Sequence, residues 1–255
     1  MVTGMAGGPQ AATSRFARGL MDLLDRVEYR PARFTEDFEA VYRLRYHAYR
    51  REGFIPENAE RICKDDLDDQ PNCRIVGVYL DGQLVSSLRV HHVTTEHRQS
   101  ASMTVYSDLL DPMVDRGVEF VDPSRFTADY DASLEYPALP FLTLRIAAMA
   151  SVYYDADYCL AIVRPEHAAF YKRVFLSQEW AEQRSYDGLA FPVCLYAAEV
   201  PVIRDQVYSR FPFFMSTQTE QRMMFGLGDR HEAAMTVRPT ARFAYAEGVR
   251  RAAIA

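Results

Sequence analysis

A chain of 255 residues that is 49% hydrophobic and 13% aromatic can bury one sizeable core, and its formal charge of -6 argues against a bulk nucleic-acid binder, which carries a basic face. Its four cysteines, Cys63, Cys73, Cys159 and Cys194, lack the paired spacing of a zinc site or a disulfide framework, so a reduced, cytoplasmic protein without a metal is expected. No run approaches the roughly 18 apolar residues of a membrane span.

Residues 1–14 are small and polar and read as disordered. Phe16, Leu20, Leu23, Leu24 and Val27 then share one helical face, the signature of a packing helix. Glu28 to Arg33 suits a first strand, and Thr35 is a plausible cap for a helix from Glu36 to Glu52, ended by Gly53. Two strand patterns, 74–80 and 83–90, flank Asp81-Gly82, a strong two-residue hairpin signal. A short helix near 106–114 precedes a fourth strand at 118–126. Residues 139–154 read as a long buried helix, 158–163 as a continuous apolar strand, and Pro165 opens a helix to about Phe175. A last core strand is expected at 193–198. The order predicts an α/β fold with a mixed twisted sheet flanked by helices, confined to residues 15–199. Residues 200–225 look partly helical and aromatic, and 227–255 show no sustained pattern, so 200–255 is expected to form a helical extension and a tail.

Three polar clusters interrupt the apolar surroundings: Arg43-Leu-Arg45-Tyr-His-Ala-Tyr49, Lys64-Asp65-Asp66-Leu-Asp68-Asp69 and Asp122-Pro-Ser124-Arg125-Phe126, with Arg89 alone between the second and third. Charges beside apolar strands are costly to bury unless paired, so these arginines and aspartates are expected to meet at a charged cleft, with Asp65 or Asp68 facing Arg89 or Arg125.

These residues resemble the acyl-homoserine-lactone (autoinducer) synthases and the long-chain N-acyl amino acid synthases of the N-acetyltransferase-like (GNAT-like) superfamily, over residues 36–198. Arg45 with Tyr49, Asp65 with Asp68, Arg89, and Asp122-Pro-Ser124-Arg125-Phe126 match autoinducer-synthase motifs in order. Cys63 stands where those enzymes carry a glutamate, and Phe54 where they usually carry a tryptophan. These departures, with Arg164-Pro-Glu166-His-Ala-Ala-Phe-Tyr171, look more like the N-acyl amino acid synthases. The resemblance implies an acyl-CoA N-acyltransferase fold and transfer of a fatty acyl chain from acyl carrier protein to an amino acid's α-amine, with no bound cofactor beyond the acyl-phosphopantetheine of the donor. An autoinducer synthase using S-adenosylmethionine, an ordinary acyl-CoA transferase and a catalytically silent acyl or carrier-protein binding module are the alternatives. Independently, residues 126–141 contain no glycine, so the glycine loop that cradles the pyrophosphate of CoA in ordinary enzymes of this fold is missing.

The expected chemistry is amine attack on a thioester. Asp122 is the first candidate proton acceptor, with a helix cap or ion-pair partner as its alternative role; Glu166 and His167 are held in reserve. Arg45 is a candidate for the acceptor's carboxylate, or a helix-surface arginine. Arg125 binds or organises, and Asp65, Asp68 and Arg89 frame the cleft. Ser124 is a candidate nucleophile that no histidine is placed to activate, with a structural hydroxyl as its alternative role; Phe126 is expected to bind substrate, and Tyr171 and Phe175 are expected as tunnel lining or plain core. His91, His92 and His97 are expected as solvated loop residues. Arg43, Arg50 and Arg51, or Arg145, Arg164, Lys172 and Arg173, could dock an acidic carrier protein.

Overall fold

The computed structural model describes residues 14–186, 191–226 and 234–252; the segment expected to be disordered lies, apart from Ser14, outside them. Helix α1 (Arg15–Leu24) begins where Ser14 Oγ accepts from the Ala17 N–H at 3.1 Å. Its buried stripe is Ala17, Leu20, Met21 and Leu24; Phe16, expected inside, is 47% exposed and meets Phe141 edge-on. In helix α2 (Thr35–Arg51), Thr35 is the first helical residue rather than the cap. Asp37 reaches back instead, accepting from the Arg33 and Phe34 N–H groups.

Seven strands form one sheet: β1 (Val27–Pro31), β2 (Cys73–Leu80), β3 (Gln83–Val93), β4 (Phe120–Ala128), β5 (Tyr158–Val163), β6 (Gln178–Ser185) and β7 (Pro192–Glu199), in the order β1-β2-β3-β4-β5-β7-β6. All neighbours are antiparallel except β4 and β5. The β2–β3 turn has Asp81 at φ 50° and Gly82 at φ 82°, the left-handed pair a two-residue hairpin demands. β6 was not apparent in the sequence because Gln178–Ser185 is an exposed edge strand with polar residues on both faces.

Side chains alternate across the sheet, so β3 and β4 address two different layers. Helix α5 (Leu139–Tyr153) covers one face, meeting Leu88, Val90 and Val121 in the main core. Helix α3 (Ala101–Val114) packs against Phe120 on the other, beside α2. Helix α3 starts at Ala101, five residues before the expected helix, capped by Ser100, whose hydroxyl accepts from the Met103 N–H. A short α4 (Tyr130–Glu135) links β4 to α5, and α6 (Ala168–Phe175) follows the Pro165 turn.

Two irregularities shape the middle of the sheet. The parallel ladder contains only Phe120↔Tyr158 and Val121↔Cys159, after which β4 and β5 splay apart. Opposite, the β3–β4 register passes from Ser87↔Thr127 to Arg89↔Ser124, so Arg125 and Phe126 together oppose Leu88 in a bulge. Arg125 sits at φ 51°, a left-handed conformation that non-glycine residues seldom adopt.

The C-terminal segment, expected as a helical extension over 200–225 and a tail beyond it, is docked against the core. It contains α7 (Val200–Arg210), a turn at Pro212–Phe214, α8 (Gln218–Gln221) continuing into a π turn at Arg222–Gly226, and α9 (Ala241–Ala252). Val237 exchanges backbone hydrogen bonds with Tyr29 at the edge of β1, at 2.9 and 2.8 Å. Arg145 of α5 is fully buried, ion-paired with Glu220 and donating to the Phe213 carbonyl at 2.7 Å. Glu220 also accepts from Thr240 N at 2.9 Å. This removes Arg145 from the exposed cations expected to dock a carrier protein.

Candidate active site

The three polar clusters meet on the α2 face of the sheet. Arg45, 0% exposed, donates Nη1 to both oxygens of Asp68 at 2.8 and 2.9 Å. Arg89, also 0% exposed, donates Nη1 to Asp65 and to Asp68 (3.2 Å), and Nε to Ser124 Oγ at 3.0 Å. Arg125 grips Asp65 through Nε at 3.0 Å and through Nη2. The acidic loop is pre-shaped for this. Asp65 caps a 3-10 turn, Asp66–Asp69, by accepting from the Leu67 N–H, while Asp68 accepts from the Asp65 N–H. Burial pushes the Asp65 carboxyl up, but the Arg89 and Arg125 charges together outweigh it and hold the pKa at about 2.

Where β4 and β5 diverge, a cleft of about 550 Å³ opens. Its walls include Tyr49, Arg89, Ser124, Arg125, Phe126, Glu166, His167 and Tyr171, so most of the residues expected at the site share one cavity. Pro123, Leu144, Ala161 and Tyr171 also line an apolar chamber of about 60 Å³ between α5, β5, α6 and α7. Sequence reasoning did not single out Tyr186, Phe191 and Ala161 on the cleft wall, or Val207 and Tyr208 in the chamber, because ordinary apolar and aromatic residues carry no motif. At the mouth Phe54 packs edge-on against Phe191, centroids 4.7 Å apart, with the Arg164 guanidinium 5.0 Å from the Phe191 ring.

Other expected residues lie apart. Asp122 is fully buried, off the cleft wall, its oxygens accepting from Ser102 N at 2.7 Å and Ser102 Oγ at 2.8 Å, at the start of α3. Arg45 and Asp68 are likewise behind the wall. Glu166 pairs with Arg164, and its own backbone N–H together with that guanidinium holds the carboxyl below the usual range. Burial pushes the Tyr171 phenol well above its ordinary value, so it stays protonated at neutral pH. Burial also raises the Cys63 thiol. Of the three histidines expected as solvated loop residues only His97 is one: β3 extends to Val93 and encloses His91 and His92. His91 is buried with Nε2 at 2.9 Å from the Leu67 carbonyl, and burial aided by the Arg89 charge pushes its pKa down. His92 stacks on Tyr154 and meets Glu119 at 2.8 Å. Among the described residues no helix is long and apolar enough to cross a membrane.

A mixed sheet parted between two parallel strands, with a polar cluster on one lip and an apolar chamber behind, has the acyl-CoA N-acyltransferase-like fold, and the chain's family makes it an acyltransferase. The family profile of N-acyl amino acid synthase FeeM matches residues 40–199. The chain belongs to this family. The structure of FeeM, an N-acyl amino acid synthase from uncultured soil microbes, superposes with a TM-score of 0.58 at 16% identity, covering 71% of this chain and 94% of that one. The AHL synthase LasI, and TofI in a ternary complex with an inhibitor and MTA, superpose with TM-scores of 0.48 and 0.49 at 15% and 16% identity, over 67% and 68% of this chain and 88% and 92% of theirs. No curated protein matches by sequence.

Proposed function

We propose that this acyltransferase moves a long fatty acyl chain from the phosphopantetheine of acyl carrier protein to the α-amine of a free amino acid. The observation that carries this reading is the parted β4–β5 ladder opening into a cleft without a pyrophosphate cradle. Pantetheine is an extended chain with two amide groups, and beyond Val121 and Cys159 the two strands offer it backbone donors and acceptors that no ladder uses. Residues 126–141, where a CoA pyrophosphate would need donors, form the end of β4, α4 and the first turn of α5. Pro137 and Pro140 lack N–H groups there, and Asp129, Asp131 and Glu135 repel phosphate. A carrier protein, whose long arm reaches the cleft without a pyrophosphate, suits that wall. Its acidic surface would meet exposed cations such as Arg50, Arg51 and Arg173.

In this mechanism the acceptor's amine attacks the thioester carbonyl, the oxyanion is held by backbone N–H groups that the parted β4–β5 ladder and the β4 bulge leave free, and the amide forms as the pantetheine thiolate departs. The second proton that the nitrogen loses as the amide forms reaches that thiolate through Tyr171, which gives up its own proton and takes this one, and so ends protonated as burial requires. The ammonium proton goes to His167 on the cleft wall, directly or through water. Asp65 and Glu166, both held at low pKa, are weak bases, and Asp122 is engaged by α3. The acyl chain lies along Phe126 and Leu144 and enters the apolar chamber by displacing side chains such as Tyr208. The free thiols and both substrates fit a cytoplasmic setting.

The test is mass spectrometry of products after incubation with long-chain acyl carrier protein, the twenty amino acids and S-adenosylmethionine. An N-acyl amino acid is expected. An acyl-homoserine lactone would transfer the reading to the autoinducer synthases, and carrier binding without thiol release would reduce the protein to a binding module.

A further inference from the structure

Resting on the acylation reading above, the geometry points to a carboxylate subsite on the inner wall of the cleft, made by Arg125, Ser124 and Arg89, which holds the acceptor's carboxylate beside the thioester. Arg45, the arginine first expected in that role, has both Asp68 oxygens on one nitrogen and lies behind the wall. Arg125 is on the wall. Its Nε and Nη2 are spent on Asp65, while Nη1 carries no hydrogen bond among the described residues. The left-handed backbone at the bulge presents this guanidinium, and the Tyr49 ring flanks it at 5.5 Å. Ser124 Oγ accepts from Arg89, which leaves its own O–H to donate into the cleft it lines. Arg89, 0% exposed and also on the wall, has Nη2 buried without a partner.

Charge points the same way. Among the described residues Arg45, Arg89 and Arg125 are ion-paired with two carboxylates, Asp65 and Asp68. Asp122, bonded by the neutral Ser102, pairs with none of these arginines, His91 stays neutral beside Arg89, and the Cys63 thiol stays protonated, so the donors left over on Arg89 and Arg125 have no anionic partner. A buried guanidinium donor without a partner is unfavourable, and one incoming monoanion relieves it. A carboxylate supplies that single charge and matches a guanidinium in shape, whereas a phosphate dianion would exceed it.

The experiment compares a free amino acid with its primary amide, which keeps the side chain and the amine but loses the negative charge, using the same acyl carrier protein donor. The wild type is expected to use the amide about 30-fold less efficiently, mostly through KM, as for loss of a charge-assisted contact. Arg125→Gln is expected to lower kcat/KM for the acid by about tenfold, barely change it for the amide, and so collapse the ratio to about threefold. Calorimetric titration of the wild type with acid and amide, without donor, needs no variant and is expected to detect binding of the acid alone. Equal use or equal binding of acid and amide overturns the subsite. Selective binding of the acid with no N-acyl product from either acceptor would uphold the subsite while removing the acylation reading.

Discussion

Replacing Asp68 by Asn tests whether the polar cluster is a buried electrostatic unit. The carboxylate is 7% exposed as a residue and accepts from Arg45, Arg89 and the Asp65 N–H. An asparagine keeps the shape and one acceptor oxygen but leaves Arg45, 0% exposed, without a counter-charge. Breaking a buried pair from one side costs about 3–5 kcal/mol; the retained carbonyl argues for the lower end, about 3 kcal/mol. That is a large share of the roughly 5–15 kcal/mol that holds a domain together. With a urea m-value of about 2–3 kcal/mol/M, the unfolding midpoint should fall by about 1–1.5 M. The assay is urea denaturation followed by tryptophan fluorescence and circular dichroism, with exposed Asp66→Asn as control, expected within about 0.5 kcal/mol of wild type. The pair Arg45→Met with Asp68→Leu removes both charges and should recover most of the loss. A midpoint for Asp68→Asn indistinguishable from that of Asp66→Asn would refute the argument that the cluster is a closed, desolvated unit.

The Asp65 carboxyl, at about 2 folded against 3.8 unfolded, contributes stability that is present above pH 3.8 and lost as pH falls through about 2. After discounting for its 26% side-chain exposure this is about 1–2 kcal/mol, so thermal melts of Asp65→Asn between pH 5 and 2 should show a correspondingly flatter acid limb than wild type. Glu220→Gln leaves Arg145 uncompensated at 0% exposure and should destabilise by about 3–5 kcal/mol, with earliest loss of hydrogen-exchange protection in α8 and α9. Ala161→Phe fills the junction of cleft and chamber; turnover of long-chain donors should fall at least about tenfold while short-chain donors retain theirs, which steady-state kinetics across chain lengths would reveal. His167→Gln should lower kcat by about 100-fold with little change in acceptor KM, and an unchanged rate would remove His167 as the proton acceptor.

Much of the scaffold was legible because local physics wrote it into the sequence. Asp81-Gly82 can turn a hairpin without its neighbours, the apolar run 158–163 has few soluble alternatives to a buried strand, and Gly53 at φ 71° stops a helix wherever it folds. The ordered Arg, Asp and Asp-Pro-Ser-Arg-Phe clusters announced a charged cleft because buried charges must find each other.

Tertiary structure alone decided the rest, since those outcomes depend on partners far away in the chain. Asp122 capping the amino end of α3 required Ser102 to arrive beside β4, and Arg145 became a buried anchor through Glu220, 75 residues later. Gln178–Ser185 became a strand because β7 offered an open edge, despite a pattern that hides no face. The sequence by itself determined which residue types must meet and where the chain must turn. Which arginine lies behind the cleft wall with its aspartate, and which reaches the cleft with a donor to spare, was decided by the bulge at Arg125 and the parting of β4 from β5, because hydrogen-bond geometry depends on distances that only the assembled sheet sets.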